Sequence, residues 1–91
     1  MLSILIPTYN YKVLDLVKEL HSQIEFFSDA VEIIVIDDCS KYFITDNESI
    51  NKLTKCSYTF SEKNNGRTAT RSKLASLAKF EWLLFLDADI R

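Results

Sequence analysis

Apolar runs alternate with amphipathic stretches along the whole chain. Four runs rich in apolar, β-branched or aromatic residues predict strands at residues 2–6, 31–36, 57–60 and 81–86. Between them, apolar residues recur every three or four positions, as on one face of a helix, over about residues 11–27, 47–54 and 66–79. Pro7 is expected to end the first strand. The pattern predicts the order β-α-β-α-β-α-β, which is typical of a parallel sheet joined by helical crossovers.

The order of the strands follows from their composition and from the handedness of the crossovers. The second and fourth runs are almost continuously hydrophobic, as expected for strands covered on both faces. Right-handed crossovers favour the order 3-2-1-4, and ligands of such sheets bind where the order reverses, outside the carboxyl ends of the strands. We therefore expect an α/β fold over residues 1–91: a Rossmann-like parallel sheet of four strands with three helices and no internal domain boundary.

Composition and charge exclude several classes of protein. The 91 residues are 47% hydrophobic and 26% charged, which is typical of a globular domain and unlike a disordered chain. Eleven basic and thirteen acidic side chains leave a net charge of −2, which argues against a nucleic-acid partner. No apolar run approaches the roughly 20 residues of a membrane span, whereas association with a membrane surface is left open. No basic leader precedes the first strand, so a cytoplasmic location is expected.

The two cysteines are expected to remain unbonded. Cys39 follows the carboxyl end of the second strand, and Cys56 precedes the amino end of the third. Parallel neighbours place these ends at opposite edges of the sheet, roughly 15–20 Å apart. A disulfide requires Cα atoms within about 7 Å, so a bond between them would contradict the parallel arrangement.

Polar segments follow all four predicted strands, at residues 7–10, 37–40, 61–67 and 87–89. In a parallel sheet these segments meet at one edge. Asp87 and Asp89 are separated by one residue, so in extended backbone their side chains point the same way and can face one cation. Carboxylate oxygens suit Mg²⁺ or Mn²⁺. The alternative is that both are solvated loop residues.

The second and third polar segments add groups that could bind a nucleotide. Asp37 or Asp38 could accept hydrogen bonds from a base or ribose, or could simply cap a turn. Gly66 precedes a helix that carries Arg67 and Arg71, and both a helix N-terminus and a guanidinium group attract phosphate. A turn glycine followed by solvated arginines is the alternative. Together, the four segments predict a nucleoside diphosphate held through a divalent metal.

Four motifs resemble the N-terminal half of the family-2 glycosyltransferases of GT-A type. They are SILIPTYN (3–10), EIIVIDDCS (32–40), NNGRTATRSKLASLA (64–78) and WLLFLDADI (82–90). The resemblance covers essentially the whole chain, with the motifs in the family's order. It implies a nucleotide-sugar ligand, with a UDP-sugar favoured, a Mn²⁺ or Mg²⁺ cofactor, and inverting transfer of the sugar to an acceptor.

The resemblance also implies roles for individual residues. Those implied at the nucleotide base are Pro7, Thr8, Tyr9 and Asp38, of which Asp38 pairs with a uracil-type base. Arg71 is implied near the base and the diphosphate. Asp87 is implied at the ribose or the metal, and Asp89 is implied as a metal ligand.

The chain departs from the family in two respects. Family members are usually more than twice this length, and their second half supplies the acceptor site and the catalytic base. The family also often has Asn after the helix arginine, where this chain has Ser72. We therefore expect a donor-binding half without a catalytic base of its own, which does not transfer sugar alone.

Two other functions are consistent with parts of the sequence. A non-enzymatic Rossmann-like module could bind nucleotide weakly or only pack against a partner. The run LLFLDADI (83–90) also resembles the first motif of haloacid-dehalogenase-type phosphatases, but that motif belongs near the start of its domain and here it lies near residue 91. Calorimetry with UDP and Mn²⁺ discriminates among these functions.

The fourth strand is expected to mediate self-association. In the order 3-2-1-4 it is an edge strand, although its composition suits a strand buried on both faces. An exposed hydrophobic edge can pair with another chain. We therefore expect a homodimer or a larger species with the strand-four region in the contact.

Overall fold

The predicted alternation of strands and helices is present in the structure. A computed structural model describes residues 1–26 and 30–88 of the chain. Its elements are β1 (Leu2–Thr8), α1 (Leu14–Ile24), β2 (Val31–Asp37), α2 (Ile44–Glu48), a 3₁₀ turn (Ser49–Lys52), β3 (Cys56–Phe60), α3 (Arg67–Leu77) and β4 (Trp82–Phe85). Among the described residues, no helix is both long and apolar enough to cross a membrane.

The four strands form one parallel sheet in the order β3-β2-β1-β4, which confirms the predicted topology. Ile4 of β1 lies opposite Ile33 of β2 on one side and Leu84 of β4 on the other. Val35 of β2 lies opposite Tyr58 of β3. Strand order reverses between β1 and β4, so their carboxyl ends flank the position where ligands of open α/β sheets bind.

The two faces of the sheet are covered unequally. On one face α1, α2 and the 3₁₀ turn pack over a cluster of buried residues, which includes Ile4, Ile6, Val17, Ile24, Ile33, Val35, Ile50 and Tyr58. On the other face α3 alone packs through Leu74 onto Leu5, Ile34 and Ile36. Neighbouring residues of β1 and β2 alternate between these clusters because successive side chains of a strand point to opposite faces.

Strand β4 is an edge strand with exposed apolar side chains, as the sequence predicted. Trp82 is 69% exposed, Leu83 41% and Leu84 44%, whereas the apolar residues 33–36 of β2 are buried. Phe60 at the end of β3 is also exposed, at 37%, so the helices leave parts of both edge strands uncovered.

Pro7 does not end the first strand, contrary to the prediction. β1 continues to Thr8 and stays paired with β2. The Leu5 carbonyl accepts a hydrogen bond from the Leu86 N–H at 3.0 Å, so the backbone groups of Leu5 face β4. Those of Pro7, two residues later, face the same side, where β4 has no further paired residue. The missing N–H of proline therefore removes no bond of the sheet.

The helix boundaries differ from the prediction by a few residues. α1 begins at Leu14 rather than near residue 11 because the Asn47 side chain binds the backbone of Tyr11, Val13 and Leu14. Its predicted last residue, Phe27, lies outside the described residues. The second helix begins at Ile44, earlier than predicted, and ends as the 3₁₀ turn.

Both cysteines are free thiols, as expected for opposite edges of a parallel sheet. Cys39 follows β2, and Cys56 is the first residue of β3. Burial raises the pKa of the Cys56 thiol to about 11. That thiol is therefore protonated at neutral pH and is a poor nucleophile.

Candidate functional site

A cleft of about 500 Å³ opens at the carboxyl edge of the sheet. The end of β1, the segments after β1, β2 and β4, the loop before α3 and the start of α3 line it. The lining residues are Pro7, Thr8, Tyr9, Asn10, Tyr11, Asp38, Asn64, Gly66, Arg67, Thr70, Asp87 and Ala88. The structure therefore brings parts of all four predicted polar segments to one mouth. Asn10, Tyr11, Asn64 and Thr70 had no role assigned from the sequence.

Strand β1 delivers Pro7, Thr8 and Tyr9 to one wall of the cleft. Tyr9 is 50% exposed, so its ring is available for contact with a ligand. Thr8 is buried, and its hydroxyl has no hydrogen-bond partner among the described residues. A buried polar atom without a partner is uncommon in folded proteins and calls for an explanation. Thr8 lines the cleft, but its hydroxyl oxygen is closed to solvent, so a ligand can supply the missing partner only if the side chain rotates toward the cleft.

Asp38 connects the end of β2 to the loop that precedes α3. Its Oδ1 accepts a hydrogen bond from the Asn65 N–H at 2.7 Å, and its Oδ2 accepts one from the Gly66 N–H at 3.0 Å. Each carboxylate oxygen can accept more than one hydrogen bond, so Asp38 retains acceptor capacity on the side of the cleft. Asp38, which is expected to bind the base, therefore also positions the loop before α3, the candidate phosphate-binding loop.

The neighbouring carboxylate, Asp37, is held by hydrogen bonds inside the fold. It is fully buried and lies outside the lining of the cleft. The Tyr58 hydroxyl donates to its Oδ2 at 2.5 Å, and the Ser40 N–H donates to its Oδ1 at 2.9 Å. Burial raises the pKa of the Tyr58 phenol above its usual range, and the hydrogen bond to Asp37 raises it further. Asp37 thus braces β2 against β3, and Asp38 faces the cleft.

Helix α3 begins at the cleft because of Gly66. This residue has φ 85° and ψ 165°, a conformation that is strained for any residue with a Cβ atom. No atom lies within 4 Å of a Cβ built there, so the requirement is conformational rather than steric. The first turn of α3 carries no acidic residue. The Asp38 carboxylate nevertheless accepts hydrogen bonds from the Asn65 and Gly66 N–H groups just before it, so the N–H groups left for a phosphate are those of the first turn itself.

Arg67 and Asp87 form an ion pair at the rim of the cleft. The Nη2 atom of Arg67 lies 3.2 Å from Oδ1 of Asp87, and their side chains are 70% and 33% exposed. The pair joins the first turn of α3 to the segment after β4. The sequence pointed to Arg67 only as one of two helix arginines, and its pairing with Asp87 depends on the tertiary structure.

Arg71 lies apart from the other candidate residues. Its guanidinium carbon is 4.5 Å from the centroid of the Phe85 ring, in a shallow groove between α3 and β4. It does not line the cleft that contains Asp38 and Asp87. The remaining candidate, Asp89, lies outside the described residues.

The metal-binding side chains of the described residues can hold a divalent metal only together with other ligands. No cluster of three or more metal-binding side chains occurs in residues 1–26 and 30–88. Mg²⁺ bound with a nucleotide uses one or two carboxylates together with substrate phosphates. Asp87, which lines the cleft, can supply one such carboxylate.

A family model and a curated relative both identify the chain as glycosyltransferase sequence. Residues 3–91 match the model of glycosyl transferase family 2. The chain is 36% identical over 95 residues to an uncharacterized glycosyltransferase of Haemophilus influenzae, covering 98% of this chain and 29% of that protein. The family match includes the fourth motif, which contains the run (83–90) on which the phosphatase alternative rested. No separate observation supports that alternative.

Solved structures have the same fold over their N-terminal parts. S. aureus TarS 1-349 in complex with UDP-GlcNAc has a TM-score of 0.80 and 28% identity, covering 97% of this chain and 26% of that one. The complex of the same protein with UDP has the same TM-score and identity. The mannosyltransferase PcManGT from Pyrobaculum calidifontis, in complex with GDP-Man and Mn²⁺, has a TM-score of 0.78 at 18% identity, a likeness of fold alone. The chain thus spans less than a third of the length of these relatives.

Proposed function

Because the chain belongs to glycosyl transferase family 2, we propose that residues 1–91 form the nucleotide-sugar-binding half of a glycosyltransferase domain. The observation that carries the proposal is the cleft at the strand-order reversal, where Asp38 and the N-terminus of α3 meet the end of β1. Structures of TarS hold UDP and UDP-GlcNAc, which favours a UDP-sugar as the ligand. This chain would contribute the donor site to transfer of the sugar to an acceptor.

The proposed base site is the side of the cleft formed by Pro7, Thr8, Tyr9 and Asp38. Uracil carries an imide N–H, and Asp38 retains acceptor capacity for such a donor beyond its two backbone hydrogen bonds. The exposed ring of Tyr9 offers an aromatic surface to the base. A rotation of the Thr8 side chain toward the cleft would give its hydroxyl the partner that it otherwise lacks.

The proposed diphosphate and metal site lies at the other side of the cleft. The N-terminus of α3 offers backbone N–H groups to phosphate. We propose Asp87 and Asp89 as ligands of Mn²⁺ or Mg²⁺, and Mn²⁺ accompanies the nucleotide sugar in PcManGT. Such a metal, when bound, neutralises charge on the departing nucleoside diphosphate. Arg71, which the family resemblance implies here, would have to leave the Phe85 ring to reach the diphosphate.

We place the acceptor site and the catalytic base outside residues 1–91, since the chain covers 29% of its curated relative. On this proposal the chain binds the donor but does not transfer sugar alone. A non-enzymatic nucleotide-binding or packing module is the alternative, and the expected cytoplasmic location stays a prediction. We also propose that a second copy of the chain pairs along the exposed edge of β4.

Isothermal titration calorimetry with UDP and Mn²⁺ tests the donor site, and two buried hydroxyls provide a matched pair of variants. Thr8 and Ser61 both have a buried hydroxyl oxygen with no partner in the described chain, but only Thr8 lines the cleft. Thr8→Val should weaken UDP binding by about fivefold, the value of one hydrogen bond, and Ser61→Ala should leave it within about twofold. A folded chain that does not bind UDP at millimolar concentration would refute the proposal.

A further inference from the structure

We infer that Arg67 is the side chain that binds the diphosphate in this chain, and that Arg71 instead fastens α3 to β4. The inference rests on the proposed function and deepens it. Both arginines lie on α3, one turn apart, and sequence alone treats them as equivalent cations. The structure separates them, because one lines the cleft and the other stands over an aromatic ring.

Arg67 occupies the position from which a cation can meet the diphosphate. It lies in the first turn of α3, beside the N-terminal N–H groups of the helix, and it lines the cleft. Its side chain is 70% exposed, so it can change rotamer without disturbing the core. Guanidinium groups bind phosphate oxygens through two parallel hydrogen bonds, which adds orientation to charge.

The ion pair with Asp87 places Arg67 at the rim of the cleft, and Arg67 can exchange it for another contact. Exposed ion pairs contribute little to stability, so exchanging this one for a phosphate contact costs little. Asp87 is itself a proposed metal ligand, and a divalent cation would compete with Arg67 for the same carboxylate. A metal-bound diphosphate would therefore both release Arg67 from Asp87 and offer it a new anionic partner.

Arg71, in contrast to Arg67, packs on an aromatic ring away from the cleft. Its guanidinium lies 4.5 Å from the centroid of Phe85, a residue of β4 that is paired with Leu5 of β1. Thr68, Ser72 and Ala75 of α3 complete the groove around it. Moving Arg71 to the cleft would forfeit the cation–π contact and uncover part of the Phe85 ring. The contact instead joins α3 to the edge strand, which pairs with only one neighbour.

Calorimetry with UDP and with uridine, in the presence of Mn²⁺, separates the two arginines. Arg67→Ala should weaken UDP binding by about tenfold or more and leave uridine binding within about twofold. Lys73→Ala is the matched control, because it removes a positive charge from an exposed position of the same helix outside the cleft. Arg71→Ala should lower the midpoint of thermal unfolding and weaken UDP binding less than Arg67→Ala does.

The outcomes distinguish this inference from the proposed function. Equal UDP affinity in the unaltered chain and in Arg67→Ala would overturn the inference alone. A uridine loss as large as the UDP loss in Arg67→Ala would also overturn it, because the residue would then act by holding the cleft through Asp87. A loss larger in Arg71→Ala than in Arg67→Ala would reverse the two roles. Absence of UDP binding in the unaltered chain would refute the proposed function itself, and the inference with it.

Discussion

The Asn47 side chain supplies the N-terminal cap of α1 from a distant part of the chain, and its removal should be strongly destabilising. The residue before the helix, Val13, has no side-chain acceptor for the first backbone N–H groups. Asn47 is fully buried, and its Oδ1 accepts hydrogen bonds from the N–H groups of Val13 and Leu14 at 3.0 and 3.1 Å. Its Nδ2 donates to the Tyr11 carbonyl at 2.9 Å.

The expected magnitude follows from these three bonds. Asn47→Ala removes the acceptor of two buried N–H groups and a donor to the Tyr11 carbonyl, at a fully buried position. Each hydrogen bond contributes about 1 kcal/mol net, and an N-cap about 1 kcal/mol, so the free energy of unfolding should fall by about 2–4 kcal/mol. Domains of this size are stable by about 5–15 kcal/mol, so the loss is a large fraction of the total.

Urea denaturation followed by circular dichroism measures this loss, and Asn51 provides the control. Asn51 also makes two hydrogen bonds with a distant backbone, through the N–H and carbonyl of Tyr58, but it is exposed. Water can replace those bonds, so Asn51→Ala should cost about 1 kcal/mol or less. Equal losses in the two variants, or a loss below about 1 kcal/mol for Asn47→Ala, would refute the assignment of the buried cap.

Three further predictions concern the metal, the buried phenol and the edge strand. Asp87→Asn should weaken UDP binding by about tenfold with Mn²⁺ and by less than about twofold with a chelator, measured by calorimetry, and equal losses would contradict a metal role. Tyr58→Phe should lower the free energy of unfolding by about 1–3 kcal/mol because buried Asp37 loses a donor. Because the pKa of Tyr58 is raised in the folded chain, the folded state keeps this proton after the unfolded state has lost it. Stability measured by urea denaturation should therefore fall as pH rises above about 10, less steeply in Tyr58→Phe, and identical slopes would contradict the burial of the phenol. Sedimentation equilibrium should show a dimer or larger species that Leu84→Lys disrupts, whereas a monomeric unaltered chain at high micromolar concentration would contradict pairing along β4.

The sequence by itself determined the order of the elements, the parallel sheet and the edge at which the site lies. Strands of continuous apolar residues and helices of period 3.6 are local patterns, readable without knowing what packs against them. The handedness of crossovers then restricts the strand order to β3-β2-β1-β4. Since the carboxyl ends of parallel strands lie at one edge, the meeting of the polar segments after the strands followed from the same reasoning.

The tertiary structure alone decided which side chains face the cleft and which serve the fold. Asp37 and Asp38 are adjacent in sequence, and the strand pattern does not separate them. The family resemblance implied a role for Asp38, and their partners, Tyr58 for Asp37 and the Gly66 loop for Asp38, show which is the buried brace and which faces the cleft. Likewise, Arg67 and Arg71 are two cations one turn apart on α3, and their neighbours, Asp87 for one and Phe85 for the other, distinguish them. Those neighbours are brought together by packing between elements far apart in sequence, and a pattern read along the chain carries no information about such contacts.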